Sequence, residues 1–262
     1  NGVLDASAMT NGVDVTVNDG ATARVIGGSG DDIFNLDGSS RANVIIGGAG
    51  DDRVDLNSAT DFKAAGHSFT GIETVRMTFS EALTLADGNL AAGQTLSVIG
   101  FSAFAMNIDG HKETDGHYHM TGDLQADRLV GGHLGDTIEG AGSSDTLTGG
   151  GGADQLTGGT GADVFVYRLA GDSTVGAADL IADLEAGDSI DLSAIDADKH
   201  QAGVQDFTLV AAFDGHAGEV TLTYDADAGV TRLLAYVNDD GVADMEIDIS
   251  GDHTDFTGLT LG

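Results

Sequence analysis

The chain has 262 residues, with 43 acidic against 10 basic side chains and a formal net charge of −33. That balance excludes nucleic acid as a partner, because a phosphate backbone is bound through clustered Lys and Arg, and only 3 Lys and 7 Arg are present. No apolar run approaches the ~20 residues of a membrane-spanning helix, and the absence of Cys rules out a disulfide framework, so life outside the cell needs another staple.

Acid-rich chains with few aromatics are often disordered. Here 41% of residues are hydrophobic, and Val, Ile, Leu and Phe are spread throughout, which argues for a folded chain. The acids are 36 Asp to 7 Glu. Asp with Gly builds tight turns, and its short carboxylate suits a hard cation held close to the backbone. The chain opens Asn-Gly-Val with no cleavable hydrophobic signal, and so reads as a processed product or a fragment of something longer.

Residues 1–56 carry two nonapeptides, GGSGDDIFN (27–35) and GGAGDDRVD (47–55), of the form Gly-Gly-x-Gly-x-Asp-x-apolar-x. They place Asp32 and Asp52 at the sixth position, 20 residues apart, which is two repeats plus a two-residue insertion. Worn copies around Gly20–Ile26 and Gly38–Ile45 lack the Asp, which predicts weak or empty sites there.

Residues 57–121 contain no nonapeptide. Alternating runs over 73–79 and 95–99 predict strands, and turns at 87–88 and 92–93 separate the runs, so the segment reads as a β-rich spacer with larger coils. The run HKETDGHYHM (111–120) sets His111, His117 and His119 near Glu113 and Asp115. On a strand His117 and His119 share a face, an arrangement that suits Zn²⁺, although a solvated polar hairpin explains the same residues without a metal.

From Gly122 to Val166 the chain divides into five blocks of nine, GDLQADRLV, GGHLGDTIE, GAGSSDTLT, GGGGADQLT and GGTGADVFV. Asp127, Asp136, Asp145, Asp154 and Asp163 fall at one phase, and Leu129, Ile138, Leu147, Leu156 and Phe165 two residues later. Three residues around each apolar position make a short strand with one inward side chain. The Gly-rich remainder is a turn in which φ > 0 lets backbone carbonyls converge. Two repeats complete one coil, so loops n and n+2 stack, and each stacked pair offers about the six to eight oxygens that Ca²⁺ prefers.

These blocks resemble the nonapeptides of the RTX (repeats-in-toxin) proteins, whose repeats form a calcium-binding parallel β-roll. The resemblance implies ligation by the carbonyls of the second and fourth residues and by the Asp at the sixth. It assigns Gly28, Gly30 and Asp32; Gly48, Gly50 and Asp52; Gly150, Gly152 and Asp154; and Gly159, Gly161 and Asp163. Asp127, Asp136 and Asp145 join them, although Gln125, Leu134 and Ser143 replace the fourth Gly in those blocks and make φ > 0 more costly. Asp residues that merely cap turns are the alternative.

Residues 167–262 break the period. Runs such as Val220–Tyr224 and Met245–Ile249 predict antiparallel strands that cap the last coil and block its open edge. The Asp-x-Ile-x-Asp-Leu-x-x-Gly-Asp-x-Ile-Asp-Leu-Ser run over 179–193 resembles the C-terminal domain of serralysin-type (M10) secreted metalloproteases, as do Gly218-Glu219 and the turn from Asn238 to Asp244. Asp172 and Asp179 are further calcium candidates, with turn capping equally open.

The expected fold is all-β, a parallel β-roll or β-helix with an antiparallel cap, in segments 1–56, 57–121, 122–166 and 167–262. No His-Glu-x-x-His run holds a catalytic zinc, no Gly-x-Ser-x-Gly elbow is intact, and no Cys nucleophile exists, so the chain reads as non-catalytic. The family resemblance implies several Ca²⁺ ions, a type I secretion exporter as partner and an extracellular location. The role is then that of a surface-layer, adhesive or matrix module with a cell-surface or self-assembly partner. The alternative is the non-catalytic tail of a longer secreted protease, lipase or polysaccharide-modifying enzyme.

Overall fold

A computed structural model describes residues 2–17, 23–36, 44–57, 68–78, 82–101 and 104–262. Phe79 and parts of both worn repeats, expected as strand and weak loops, lie outside the described residues. The chain forms two compact units, Asn1–Gly132 and His133–Gly262. Among the described residues both are built from strands, with one 3-10 turn at Asp87–Asn89, no α-helix, and no helix long and apolar enough to cross a membrane.

In the first unit successive strands alternate between sheets, so the chain coils. One sheet runs Asp14–Val17, Ile33–Leu36, Arg53–Leu56, Thr74–Met77, Thr95–Gly100 and His117–Thr121, every neighbouring pair parallel. The intervening strands form two shorter parallel sheets, Gly2–Asp5 to Ser68–Thr70 and Ala82–Thr84 to Arg128–Val130. Strands this short carry one or two inward residues each. These stack in register along the coil, as Phe34 on Val54, Val54 on Val75, Val75 on Val98 and Val98 on Met120, all buried. Full burial of such a side chain stabilises by roughly 1.5–3 kcal/mol, and the stack repeats that gain at every coil.

In the second unit the tandem blocks pair as two parallel sheets. Thr137–Glu139, Gln155–Thr157 and Asp179–Ile181 make one, and Thr146–Thr148, Val164–Val166 and Ser189–Asp191 the other. The parallel coil therefore continues past Val166, where the nine-residue period ends. Paired residues lie 18 apart in the tandem blocks (Thr137 with Gln155), 20 apart between the upstream nonapeptides (Ile33 with Arg53), and 25 apart after Val166 (Leu156 with Ile181). The added residues all enter turns, because a one-residue slip within a strand would exchange its buried and exposed faces.

The C-terminal strands Glu219–Asp225, Val230–Tyr236 and Met245–Ser250 are antiparallel, as their alternation predicts. Met245–Ser250 adds in parallel to Asp179–Ile181, and Leu259–Thr260 adds to Ser189–Asp191. Both sheets of the last coil are thereby covered at their exposed edges, which removes two templates for aggregation. Leu233, Ile247 and Ile249 seal the cap and are fully buried.

Candidate metal centre

The tandem loops put each sixth-position Asp just before its strand, where the turn folds the carboxylate under the loop. Asp32, Asp52, Asp127, Asp136, Asp145, Asp154 and Asp163 are all buried. In five of them one carboxylate oxygen accepts a backbone N–H from the coil before. Asp32 takes Val13 at 2.8 Å, Asp52 takes Asp32 at 2.8 Å, Asp127 takes Met106 at 2.7 Å, Asp154 takes Asp136 at 2.7 Å and Asp163 takes Asp145 at 2.8 Å.

The ladder runs further than the nonapeptides. Glu73 accepts Asp52 N–H at 2.7 Å, Asp179 accepts Asp154 N–H at 2.9 Å, and Asp188 accepts Asp163 N–H at 2.9 Å. Counting by nine misses Glu73 and Asp188, because insertions shift them. The usable signal is local: Glu73, Asp179 and Asp188 each precede an inward apolar residue (Val75, Ile181, Ile190) by two, as Asp127 precedes Leu129. Asp172 lies outside this N–H ladder, although its charge helps to raise Asp154 and Asp179. Its Oδ2 accepts the N–H groups of Arg168 and Leu169 and closes a turn.

The second carboxylate oxygen separates the loops into two kinds. In Asp32 and Asp127 it accepts a loop N–H, from Gly28 at 2.7 Å and from Asp123 at 2.8 Å. In Asp52, Asp154 and Asp163 it is buried and accepts no hydrogen bond. An ionised oxygen in that position is costly unless a cation meets it. Desolvation is the main cause that raises these groups above the ordinary carboxylate range. It acts with Asp179 on Asp154, pushed up to about 9, and with Asp32 and Glu73 on Asp52, pushed up to about 6. Burial likewise lifts Asp179 to about 7 and raises Asp163 and Asp127.

The first glycine of the repeat exists to make room for this carboxylate. A Cβ at Gly27, Gly47, Gly140, Gly149 or Gly158 would sit 2.0, 2.3, 2.4, 2.0 or 2.4 Å from Oδ2 of its own loop's Asp. The second and fourth positions are left-handed at Gly48 and Gly50, Gly150 and Gly152, and Gly159 and Gly161. Ala141 (φ 78°) and Ser143 (φ 77°) adopt the same geometry without glycine. Strain of that kind costs on the order of 1–3 kcal/mol per residue and persists where the surroundings impose it. Loops 140–145 and 158–163 lie one coil apart, and both carry this turn with a buried Asp. Gly28 and Gly30 and the loops over 122–127 and 131–136 lack it. Carbonyls at positions two and four and a buried Asp are all-oxygen donors, a set that fits Ca²⁺ and not a thiolate- or imidazole-seeking metal.

The three histidines of 111–120 do not converge on a metal group. His111 Nδ1 lies 2.6 Å from Asp109 Oδ1, and His117 and His119 share the outward face of their strand, with Tyr118 and Met120 turned inward.

A family model, the peptidase M10 serralysin C-terminal domain, matches residues 4–260. The chain belongs to this family. Among curated proteins, this serralysin C-terminal chain is 42% identical over 88 residues to the metallopeptidase AprA of Pseudomonas marginalis and 36% identical over 88 residues to serralysin A of Dickeya chrysanthemi. Each match covers 33% of the chain and 17% of the relative, so the matched part is a small share of those proteins. Among solved structures, it is similar to the AlgE6R3 subunit of the Azotobacter vinelandii mannuronan C5-epimerase, with a TM-score of 0.43 and 26% identity over 55% of this chain and 77% of that one. The AlgE6R2 subunit of the same enzyme gives a TM-score of 0.41 and 22% identity over 69% and 92%.

Proposed function

We propose that this serralysin C-terminal chain is a secreted, non-catalytic β-roll module that folds on binding several Ca²⁺ ions after type I export, and then serves as a structural element of the cell surface or matrix. The observation that carries the reading is the ladder of buried Asp, with unpartnered oxygens on Asp52, Asp154 and Asp163. Without a cation these carboxylates oppose folding through desolvation and mutual repulsion. With one, the loop carbonyls and the Asp of stacked turns share it, and binding free energy becomes folding free energy. The ligands are Asp52, Asp145, Asp154 and Asp163 with the carbonyls of Gly48, Gly50, Ala141, Ser143, Gly150, Gly152, Gly159 and Gly161. Asp32, Asp127, Asp136 and Asp179, with the carbonyls of Gly28 and Gly30, complete the stacked pairs. At an affinity on the order of 10⁻⁴–10⁻³ M, typical of extracellular modules, the chain stays open where calcium is scarce and closes where it is plentiful.

Circular dichroism during a calcium titration tests this. The chain gains its β signal cooperatively between micromolar and millimolar calcium and loses it in excess EGTA. A β-rich spectrum that EGTA leaves unchanged would sink the reading. A second role is favoured by the relatives, one of them a metallopeptidase by name, of which the matched segment is a small share: the module is the calcium-folded tail of a longer secreted enzyme. Reading the parent gene upstream of Asn1 for a catalytic motif decides between the two roles.

A further inference from the structure

The spacer over 57–121 has no nonapeptide, yet it gathers three carboxylates at one point. Asp87 comes from the 3-10 turn Asp87–Asn89, and Glu113 and Asp115 come from the turn that enters the strand His117–Thr121. One carboxylate oxygen from each lies within 4.8 Å of the others. Two oxygens bound to the same Ca²⁺ at 2.3–2.6 Å are separated by no more than about 5.2 Å, so the three can reach a single ion.

Glu113 marks this as more than a chance meeting of surface acids. Its side chain is fully buried (0% exposed), whereas Asp87 and Asp115 are exposed. Its Oε1 accepts the N–H of Gly116 at 2.9 Å and of Asp115 at 3.2 Å, while Oε2 is buried and accepts no hydrogen bond. A buried carboxylate with an unsatisfied oxygen, facing two further carboxylates, is unfavourable on its own and well suited to a hard cation. The surrounding turns are already held in place. Asp87 Oδ1 accepts the Thr114 N–H at 3.0 Å and hydroxyl at 2.6 Å, and the Asp115 carbonyl accepts the Gly93 N–H at 2.6 Å.

We infer that Asp87, Glu113 and Asp115 form a calcium site independent of the nonapeptides. All three donors are oxygens, which favours Ca²⁺ over a metal that seeks nitrogen or sulfur, and the exposed side leaves room for water to complete the coordination. The ion ties the turn at 87–89 to the turn at 113–115. It supplies, in the stretch where the repeats are missing, the same cross-coil staple that the repeats supply elsewhere.

Equilibrium dialysis of the whole chain against calcium, with circular dichroism on the same samples, tests the site. Glu113→Gln keeps an Oε1 for the two N–H groups and removes the charge. Asp87→Asn changes an exposed residue that can still accept from Thr114. Each variant is expected to bind one Ca²⁺ fewer than the parent, with an unchanged β spectrum in millimolar calcium. A stoichiometry equal to the parent's in both variants overturns the site. So does a loss of calcium that appears only together with loss of the β spectrum, since Asp87→Asn has no structural reason to unfold the chain. The nonapeptide reading fails in a different way: if the parent binds one ion and these variants none, the spacer site stands and the repeat sites fall.

Discussion

Gly149→Ala isolates the reason for the first glycine of the repeat. Its φ is not in the left-handed region, so the substitution adds no backbone strain, only a methyl group. That methyl would lie 2.0 Å from Asp154 Oδ2, 2.7 Å from its Cγ and 2.9 Å from its Cβ. The carboxylate must retreat by about 1.4 Å to reach ordinary contact at 3.4 Å. Such a shift breaks the 2.7 Å bond from the Asp136 N–H to Oδ1, inside the core. Overpacking costs ~1–3 kcal/mol and an orphaned buried N–H another ~1–3 kcal/mol, so the loss is roughly 2–6 kcal/mol. With a urea slope of ~3 kcal/mol/M for a chain of this size, the midpoint in saturating calcium falls by about 0.7–2 M. Gly171→Ala is the matched control, since nothing lies within 4 Å of its Cβ position. Urea titration of parent and both variants by circular dichroism reads the effect. If Gly149→Ala unfolds with the control rather than well below it, the carboxylate does not need that space and the steric account of the repeat is wrong.

Acid should partly replace calcium. Asp154 and Asp179 have folded-state values of about 9 and about 7 against an ordinary 3.8, so the folded chain keeps protons that the unfolded chain has released. Metal-free stability from these groups is fully present below about pH 3.8 and is lost as pH rises through 7 and 9. In calcium-stripped buffer the β signal is expected to grow as pH is lowered from 8 to 4.5, while the calcium midpoint rises because protons compete for the same oxygens. A β signal that shrinks over that range contradicts the burial argument. Asp188→Ala should destabilise the calcium-loaded chain by roughly 2–4 kcal/mol, because it removes the acceptor of Asp163 N–H at 2.9 Å and of Glu185 N–H at 2.7 Å. The exposed Asp255→Ala should stay within about 0.5 kcal/mol of the parent. Equal urea midpoints for the two variants would remove Asp188 from the ladder.

The sequence by itself determined the all-β parallel coil, because one inward apolar residue every nine positions and a Gly-rich turn between them leave few other ways to bury Leu129, Ile138, Leu147, Leu156 and Phe165. It also marked the buried Asp of the tandem blocks, whose phase follows from the same period. Only the tertiary structure decided which acids act together. Glu73 and Asp188 join the ladder although insertions of different length separate them from the repeats, since strand pairing re-sets the register after every enlarged turn. It also turned Asp172 to its own turn and drew Asp87 to Glu113, two residues with no motif in common. Periodicity records what each coil must bury, whereas contacts between coils depend on how far each turn reaches, and that distance is not written in the repeat.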